Sequence, residues 1–147
     1  MEQTVEQLRL ENQLCFPMYA CARGIIRRYT PLFKPMGITY TQYIVLLVLW
    51  EADSISVGDL CRRLYLDSGT LTPLLKRMEE AGLLTRSRSS RDERVVIVRL
   101  TEEGAALRER AAEIPAQMGQ CMPLTPEEAE TLYGLLYKIL DRLSETG

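Results

Sequence analysis

Apolar residues recur along this chain at two different spacings, and the change between them predicts its architecture. From residue 5 to about residue 30 they return every three or four positions, which predicts one long amphipathic helix. Pro17 lies inside this stretch, and we expect a kink there because a proline removes one backbone hydrogen bond and clashes with the preceding turn. Pro31, Pro35 and Gly37 are expected to end the helix.

The middle of the chain carries the signals of short, closely linked helices. Thr39 and Gln42 form a capping box that opens one helix. Ser56 is an N-cap candidate for a second, short helix, and Asp67 is one for a third, which should stop at Gly82. Two short helices joined by so brief a link are typical of a helix-turn-helix.

The apolar spacing then changes from helical to alternating. Residues 83–88 and 95–100 are predicted to form two strands, with the polar residues 89–93 at the tip between them. This hairpin directly follows the helix-turn-helix. Together, residues 39–100 are therefore predicted to form a winged helix-turn-helix.

The helices outside this module are longer than it needs. Thr101 caps a helix expected to run to about Met118, and Thr125 begins a capping box that opens the last helix. A helix with an apolar stripe is marginal until that stripe is buried, and the simplest partner is a second copy of the chain. We expect one domain over residues 1–147: a mainly α fold with a small β-hairpin, in which residues 5–35 and 102–145 supply dimerisation helices.

Composition narrows the function. The net charge is −2, which does not favour a protein that coats nucleic acid without sequence preference. The chain has no histidine, which does not favour a metal site or an acid–base catalytic centre, and we expect no metal and no cofactor. No apolar run is long enough to cross a membrane, and the first residues lack the pattern of an export signal. A cytoplasmic location is the default expectation.

Positive charge concentrates on the predicted recognition helix and the wing, which favours binding to double-stranded DNA. Hydroxyls and cations in the first turns of such a helix can reach base edges and phosphates, and a wing arginine can enter a narrow minor groove. The candidate DNA-binding residues are Ser68, Thr70, Thr72, Lys76, Arg77, Arg86, Arg88, Arg91, Asp92 and Arg94. The competing interpretation is a solvated surface of a protein–protein module, since charge runs often have no other role.

The stretch SGTLTPLLKRMEEAGLLTRSRSSRDERVVIVRLTEEG resembles the MarR family of bacterial repressors, and the resemblance covers nearly the whole chain. Its most specific part is the wing tip R-D-E-R, residues 91–94. The resemblance implies that Asp92 braces the wing and that Arg94 enters the minor groove. It also implies a homodimer on a pseudo-palindromic operator.

The segment LENQLCFPMYA, residues 10–20, resembles the branch of that family that senses organic hydroperoxides, the OhrR group. The resemblance implies that Cys15 is the reactive thiol and that Tyr29 and Tyr40 of the partner subunit hydrogen-bond to it. Oxidation to a sulfenic acid would then release the operator. Cys121 is implied as a possible resolving thiol, bridging to the partner's Cys15, although a small cellular thiol could cap Cys15 instead.

Three alternatives remain for the thiol and the effector. Cys15 alone would be an ordinary small core residue, the role expected for Cys21 and Cys61. A small phenolic or aromatic ligand could relieve a MarR-type repressor without any thiol chemistry, in a pocket lined by Tyr19, Tyr29, Tyr43 and Trp50. A peroxidase would use the same thiol, but no acid–base site supports turnover, and we expect no enzyme and no catalytic residue.

Overall fold

The computed structural model describes residues 2–145, with side chains from residue 5 onward. It is mainly helical with one small antiparallel sheet, so the predicted fold class is confirmed. The α-helices are α1 (Glu2–Gln7), α2 (Cys15–Phe33), α3 (Tyr40–Glu51), α4 (Val57–Leu64), α5 (Ser68–Glu80), α6 (Glu102–Ala111), α7 (Ile114–Gly119) and α8 (Pro126–Glu145). The strands are β1 (Ile55–Ser56), β2 (Leu84–Arg88) and β3 (Val96–Leu100), and short 3-10 turns cover Leu10–Asn12 and Lys34–Met36.

The prediction of one continuous, kinked helix over residues 5–30 was wrong. The side-chain amides of Asn12 and Gln13 donate to the carbonyls of Glu6 and Gln7, at 2.7 and 2.6 Å, and so satisfy the free end of α1. Pro17 lies in the first turn of α2, where a missing N–H costs no helical hydrogen bond. Pro17 therefore marks a helix start and not a kink.

The expected break at Pro31 was also wrong. Pro31 lies inside α2, which continues to Phe33. The ring of Phe33 is 1% exposed, and its burial offsets the backbone hydrogen bond that Pro31 cannot make. A left-handed Gly37, with a φ of 66°, closes the following 3-10 turn.

The chain divides into two compact units, Met1–Tyr43 and Ile44–Gly147, with the boundary inside α3. In the first unit the buried apolar side chains are Phe33, Ile38 and Tyr43. In the second, the core is formed mainly by leucines of α3, α4 and α5 together with residues of the sheet. That the whole chain acts as one domain stays a prediction.

The predicted helix signals of the winged module are confirmed. Ser56 and Asp67 cap α4 and α5, accepting the amides of Asp59 and Thr70 at 3.1 and 2.7 Å. Gly82, with a φ of 78°, follows the end of α5. The hairpin of β2 and β3 is also present, and it is joined by β1, which was not predicted, in the order β1-β3-β2.

The helix predicted from Thr101 to about Met118 is two helices, α6 and α7. Thr101 does cap α6, because its hydroxyl accepts the amide of Gly104 at 3.1 Å. Pro115, in the first turn of α7, has no amide for the carbonyl of Ala111, so α6 ends at Ala111. The capping box that opens α8 is confirmed, with reciprocal bonds between Thr125 and Glu128 at 3.2 Å each.

Among residues 2–145, no single helix is long and apolar enough to cross a membrane. Only the bent pair of segments Cys15–Met36 and Tyr40–Glu51 meets that test, by length and composition taken together.

Replacing Gly104 is expected to have a large effect on stability, because the first turn of α6 packs closely against the backbone of Leu83, which precedes β2. The Cβ of an alanine there would overlap the carbonyl oxygen of Leu83, which is backbone and cannot rotate away. Gly104→Ala should lower the free energy of unfolding by about 3 kcal/mol and the Tm by about 10 °C, measured by thermal melting. The matched control is Gly58→Ala in the first turn of α4, whose Cβ meets only ordinary contacts; a Gly104→Ala melt equal to this control would contradict the packing.

Candidate DNA interface and thiol site

The turn of the helix-turn-helix is built from one left-handed residue and one side-chain cap. Tyr65 has a φ of 55° and ends α4. Asp67 then begins α5 through its bond to the amide of Thr70. The link is only three residues long, so its geometry fixes the direction in which α5 leaves α4.

The recognition helix α5 separates its buried and exposed residues cleanly. Leu71, Leu74, Leu75 and Met78 are at most 5% exposed and face the core. The side chains predicted to contact DNA all lie on the remaining, exposed arc of the helix: Ser68, Thr70, Thr72, Lys76 and Arg77. The arrangement offers hydroxyls near the start of the helix and cations further along, but contact with DNA stays a prediction.

At the wing tip, one carboxylate organises the loop. Oδ1 of Asp92 accepts the backbone amide of Arg94 at 3.0 Å and its Nε at 3.2 Å. These hydrogen bonds hold the pKa of the Asp92 carboxyl below its usual range, so it stays ionised at neutral pH. The Arg94 side chain is 91% exposed and directed by Asp92. Arg91 is also exposed at this tip.

The two predicted arginines on β2 have different surroundings. Arg88 is exposed, and its guanidinium donates to the carbonyl of Glu93 at 2.7 Å, which ties the strand to the loop. Arg86 is only 24% exposed and forms an ion pair with Glu79 of α5 at 3.2 Å. Its guanidinium is thus engaged inside the protein, and its contact with DNA remains a prediction.

A groove of about 480 Å³ separates the wing from the helix-turn-helix. Thr72 of α5 and Arg62 of α4 line one side, and Arg86 and Arg94 line the other. Each of these three arginines is paired with a carboxylate: Arg62 with Asp59, Arg86 with Glu79 and Arg94 with Asp92.

An aromatic cluster in the first unit contains both tyrosines that the sequence singled out. The rings of Tyr29 and Tyr40 are 4.9 Å apart, and Tyr29 stacks on Phe33 at 5.2 Å. Burial raises the pKa of both tyrosine hydroxyls, and the charge of Tyr40 adds to the effect on Tyr29. Both hydroxyls therefore remain protonated at neutral pH and can donate hydrogen bonds.

All four cysteines are free thiols. Cys15 is exposed at the first residue of α2, and Cys21 is exposed on the same helix. Their six-residue separation is about 9 Å along a helix, too far for a disulfide between them. Cys121 is exposed after α7, where its Sγ lies 3.7 Å from the carbonyl of Gln117, and Cys61 is half-buried in α4.

Two residues that position the wing were missed by sequence reasoning. The Oδ1 atom of Asp53 accepts the amide of Leu100 at 2.9 Å and so fixes the end of β3. Glu79 fixes the middle of β2. The Asp-Ser pair at 53–54 is a recognisable turn signal, but nothing local indicates its distant partner. No group of three or more potential metal ligands occurs in the described part of the chain.

Comparison with known proteins identifies the family. A family model described as transcriptional regulator SarA/Rot matches residues 27–110, more than half of the chain. An organic hydroperoxide resistance transcriptional regulator from Bacillus subtilis is 46% identical over 145 residues, which are 99% of each chain. The chain belongs to the MarR family of transcriptional regulators. Its members are regulators and not enzymes.

Solved structures of MarR-family proteins agree with the fold. Reduced AbfR bound to DNA is 38% identical, with a TM-score of 0.79 over 97% of this chain and 99% of that one. A cysteine-to-serine mutant of MarR from E. coli in complex with operator DNA is 30% identical, with a TM-score of 0.79 over 86% and 93%. This MarR-family chain is therefore a DNA-binding transcriptional regulator with a winged helix-turn-helix.

Proposed function

We propose that this regulator is a homodimeric repressor that leaves a pseudo-palindromic operator when an organic hydroperoxide oxidises Cys15. The observation that carries the proposal is an accessible thiol at the start of α2 combined with a pair of protonated tyrosines in the same unit. A peroxide needs access to the sulfur, and hydroxyl donors favour a thiolate over a thiol. The proposal places the protein in the cytoplasm, with the DNA that it regulates.

In this proposal the Cys15 thiol belongs to one copy of the chain, and the tyrosines that hydrogen-bond to it belong to the other copy. Cys15 and Tyr29 are 14 residues apart on α2, which is about 21 Å along a helix. Tyr40, the first residue of α3, packs against Tyr29 and therefore also lies far from Cys15. A hydrogen bond between this thiol and these hydroxyls therefore requires a second chain.

The outer helices support a homodimer. Helix α8 has no buried residue, and its large apolar side chains other than Leu140 are 38% to 65% exposed. The N-terminal segment is similar: Leu8 is 79% exposed and Leu14 is 76% exposed. Helices with this much exposed apolar surface are typical of an interface, and pairing each with the same helices of a second copy would cover that surface.

The proposed chemistry balances with one equivalent of hydroperoxide. The thiolate of Cys15 attacks the outer peroxide oxygen, the O–O bond breaks, and the alcohol leaves with a proton, so sulfur becomes sulfenic acid and the peroxide is reduced. A second thiol then displaces water from the sulfenic acid to form a disulfide. Names of relatives favour this scheme: the Bacillus subtilis relative is called a hydroperoxide resistance regulator, and AbfR has been solved in reduced, overoxidised and disulfide-formed states.

The direct test is operator binding with and without an organic hydroperoxide, in the wild type and in Cys15→Ser. Release of the wild type only would support the proposal.

Cys121 is the proposed resolving thiol, bridging to Cys15 of the second chain. After treatment with cumene hydroperoxide, non-reducing electrophoresis should show a covalent dimer at about twice the 16.8 kDa of one chain. Cys121→Ser should abolish this band, whereas the control Cys61→Ser should keep it. Light scattering of the untreated protein should already give a dimer mass. A wild type without the band would rule out the bridge and leave a small thiol as the capping group.

Release by a small phenolic ligand is the second candidate, and the groove of about 480 Å³ between the wing and the helix-turn-helix offers space for it. The tyrosine and tryptophan residues suggested for such a pocket are less suitable, since Tyr43 is 4% exposed and Nε1 of Trp50 donates to the carbonyl of Gly104 at 2.9 Å. Salicylate that releases DNA equally from the wild type and Cys15→Ser, with hydroperoxide inactive, would favour this candidate.

A further inference from the structure

One carboxylate joins the recognition helix to the wing. Glu79 lies in the last turn of α5, and Arg86 is the central residue of β2. One oxygen of Glu79 accepts the backbone amide of Arg86 at 2.9 Å, and the other accepts its guanidinium at 3.2 Å. The same side chain therefore holds both the backbone and the charge of Arg86.

Both contacts pair a polar group of β2 with an acceptor that the sheet does not provide. This strand is at the edge of the sheet, and the Arg86 amide points away from β3, where no strand would accept it. Along β2 the side chain of Arg86 shares a face with Leu84, which is 1% exposed, so the cation is directed toward the core side of the sheet. A cation in that position requires an acceptor, because an unpaired charge away from water is costly.

The contact between Glu79 and Arg86 adds a second, side-chain tie to the short connection between α5 and β2. This connection consists of three residues, Ala81 to Leu83, with Gly82 in the left-handed conformation. Arg86 also lines the groove that separates the wing from α5, together with Thr72 and Arg94. Nε of Arg86 is buried without a hydrogen-bond partner among the described residues. The terminal guanidinium nitrogen is bonded to Glu79, which is therefore the side-chain acceptor that the structure shows for this cation.

We propose that Glu79 is a specificity-determining positioning residue, which holds Arg86 and thereby fixes the recognition helix and the wing in one relative orientation on DNA. The two readers occupy neighbouring grooves of the same half-site, so a change in their angle costs contacts on the correct sequence. Non-specific binding depends on phosphate attraction and tolerates that change. The inference rests on α5 and the wing contacting DNA, and it is independent of the oxidation of Cys15.

Charge and position predict opposite effects of replacing Glu79. If only its charge mattered, Glu79→Gln would remove a repulsion and tighten binding to every duplex. If it positions Arg86, Glu79→Gln weakens the ion pair and lowers affinity for the correct sequence alone. Glu79→Asp keeps the charge but shortens the side chain by one methylene, so it should also lose specific affinity.

The experiment uses the reduced full-length protein and two duplexes. One is selected by the wild type from a random-sequence pool, and the other is the same sequence scrambled. Glu79→Gln and Glu79→Asp should bind the selected duplex about 5-fold to 10-fold more weakly, with binding to the scrambled duplex unchanged or slightly tighter. The matched control is Glu80→Gln, an exposed carboxylate on the same turn, which should shift both duplexes equally.

A double-mutant cycle tests whether Glu79 acts through Arg86. Arg86→Gln combined with Glu79→Gln should cost no more specificity than Arg86→Gln alone. Equal effects of Glu79→Gln on the two duplexes, or an effect equal to that of Glu80→Gln, would overturn the proposal. Equal losses on both duplexes together with a lowered Tm would also overturn it, since they would indicate only a folding role.

Discussion

Arg94→Ala is expected to weaken binding to the selected operator about 10-fold to 100-fold, the range in which one well-placed base-edge arginine contributes. The side chain is 91% exposed at the wing tip, so its removal should leave the fold unchanged. It is also directed outward by the carboxylate of Asp92, which reduces the entropy lost when the guanidinium enters a groove. Fluorescence anisotropy with a labelled duplex measures the change.

The salt dependence of the same measurement tests whether the Arg94 cation lies against the DNA. Removing one cation that lies against phosphates should lower the slope of log affinity against log salt by about one. The matched control is Arg108→Ala, an exposed arginine of α6 outside the predicted interface, which should leave both the slope and the affinity nearly unchanged. Equal behaviour of the two variants would remove Arg94 from the DNA contacts.

Asp92→Asn tests whether the brace itself matters. It retains an oxygen that can accept the Arg94 amide but removes the charge that attracts the guanidinium. A smaller loss than that of Arg94→Ala is expected, because the arginine is still present but less directed.

The features that the sequence predicted well depend on interactions between near neighbours. Ser56 and Asp67 cap helices through amides three residues away, and Gly82 ends α5 through its own backbone conformation. Such signals are complete within one turn of helix, so they can be recognised without knowing the fold. The winged module follows from them together with the alternating pattern of the hairpin.

The features that were missed depend on distant partners or on competing backbone effects. Strand β1 is two residues long and exists through pairing with β3, where Ile55 lies opposite Val98. The bond from Leu100 to Asp53 likewise spans 47 residues. Nothing near Glu79 in the sequence indicates that its carboxylate meets an edge amide.

The prolines show why a residue type alone does not decide a break. Pro17 and Pro115 each lie in the first turn of a new helix, whereas Pro31 is accommodated inside α2. At Pro17 and Pro115 the helix start needs no hydrogen bond from the missing amide, and at Pro31 the burial of Phe33 offsets the lost bond. Both forms of compensation depend on the folded chain and not on the residue type.

Cys15→Ser is expected to bind the operator as tightly as the wild type, and its operator affinity should not change when organic hydroperoxide is added. For the wild type, oxidation should lower operator affinity by about 5-fold to 150-fold, the usual range of coupling between two sites in a protein. Serine has nearly the same size as cysteine and lies at an exposed helix start, so no loss of stability is expected. Titration of the labelled duplex before and after stoichiometric cumene hydroperoxide measures the difference.

The other cysteines provide matched controls for this substitution. Cys21→Ser lies on the same helix and Cys61→Ser in the DNA-binding module, and both should be released from the operator like the wild type. Release of Cys15→Ser by hydroperoxide would refute the proposed switch and leave DNA binding unaffected.

The tyrosine pair gives the mechanism a graded test. Tyr29→Phe and Tyr40→Phe keep the stacked rings of the cluster but remove the hydroxyls that are proposed to donate to the partner's thiolate. Each should slow formation of the sulfenic acid, followed as its dimedone adduct, about 10-fold, since each removes one hydrogen bond to the thiolate worth about 1.5 kcal/mol, while operator binding by the reduced protein stays unchanged. An unchanged rate of sulfenic acid formation would mean that the thiol reacts without help from the aromatic cluster, and the link between α2 of one chain and the tyrosines of the other would then have to be abandoned.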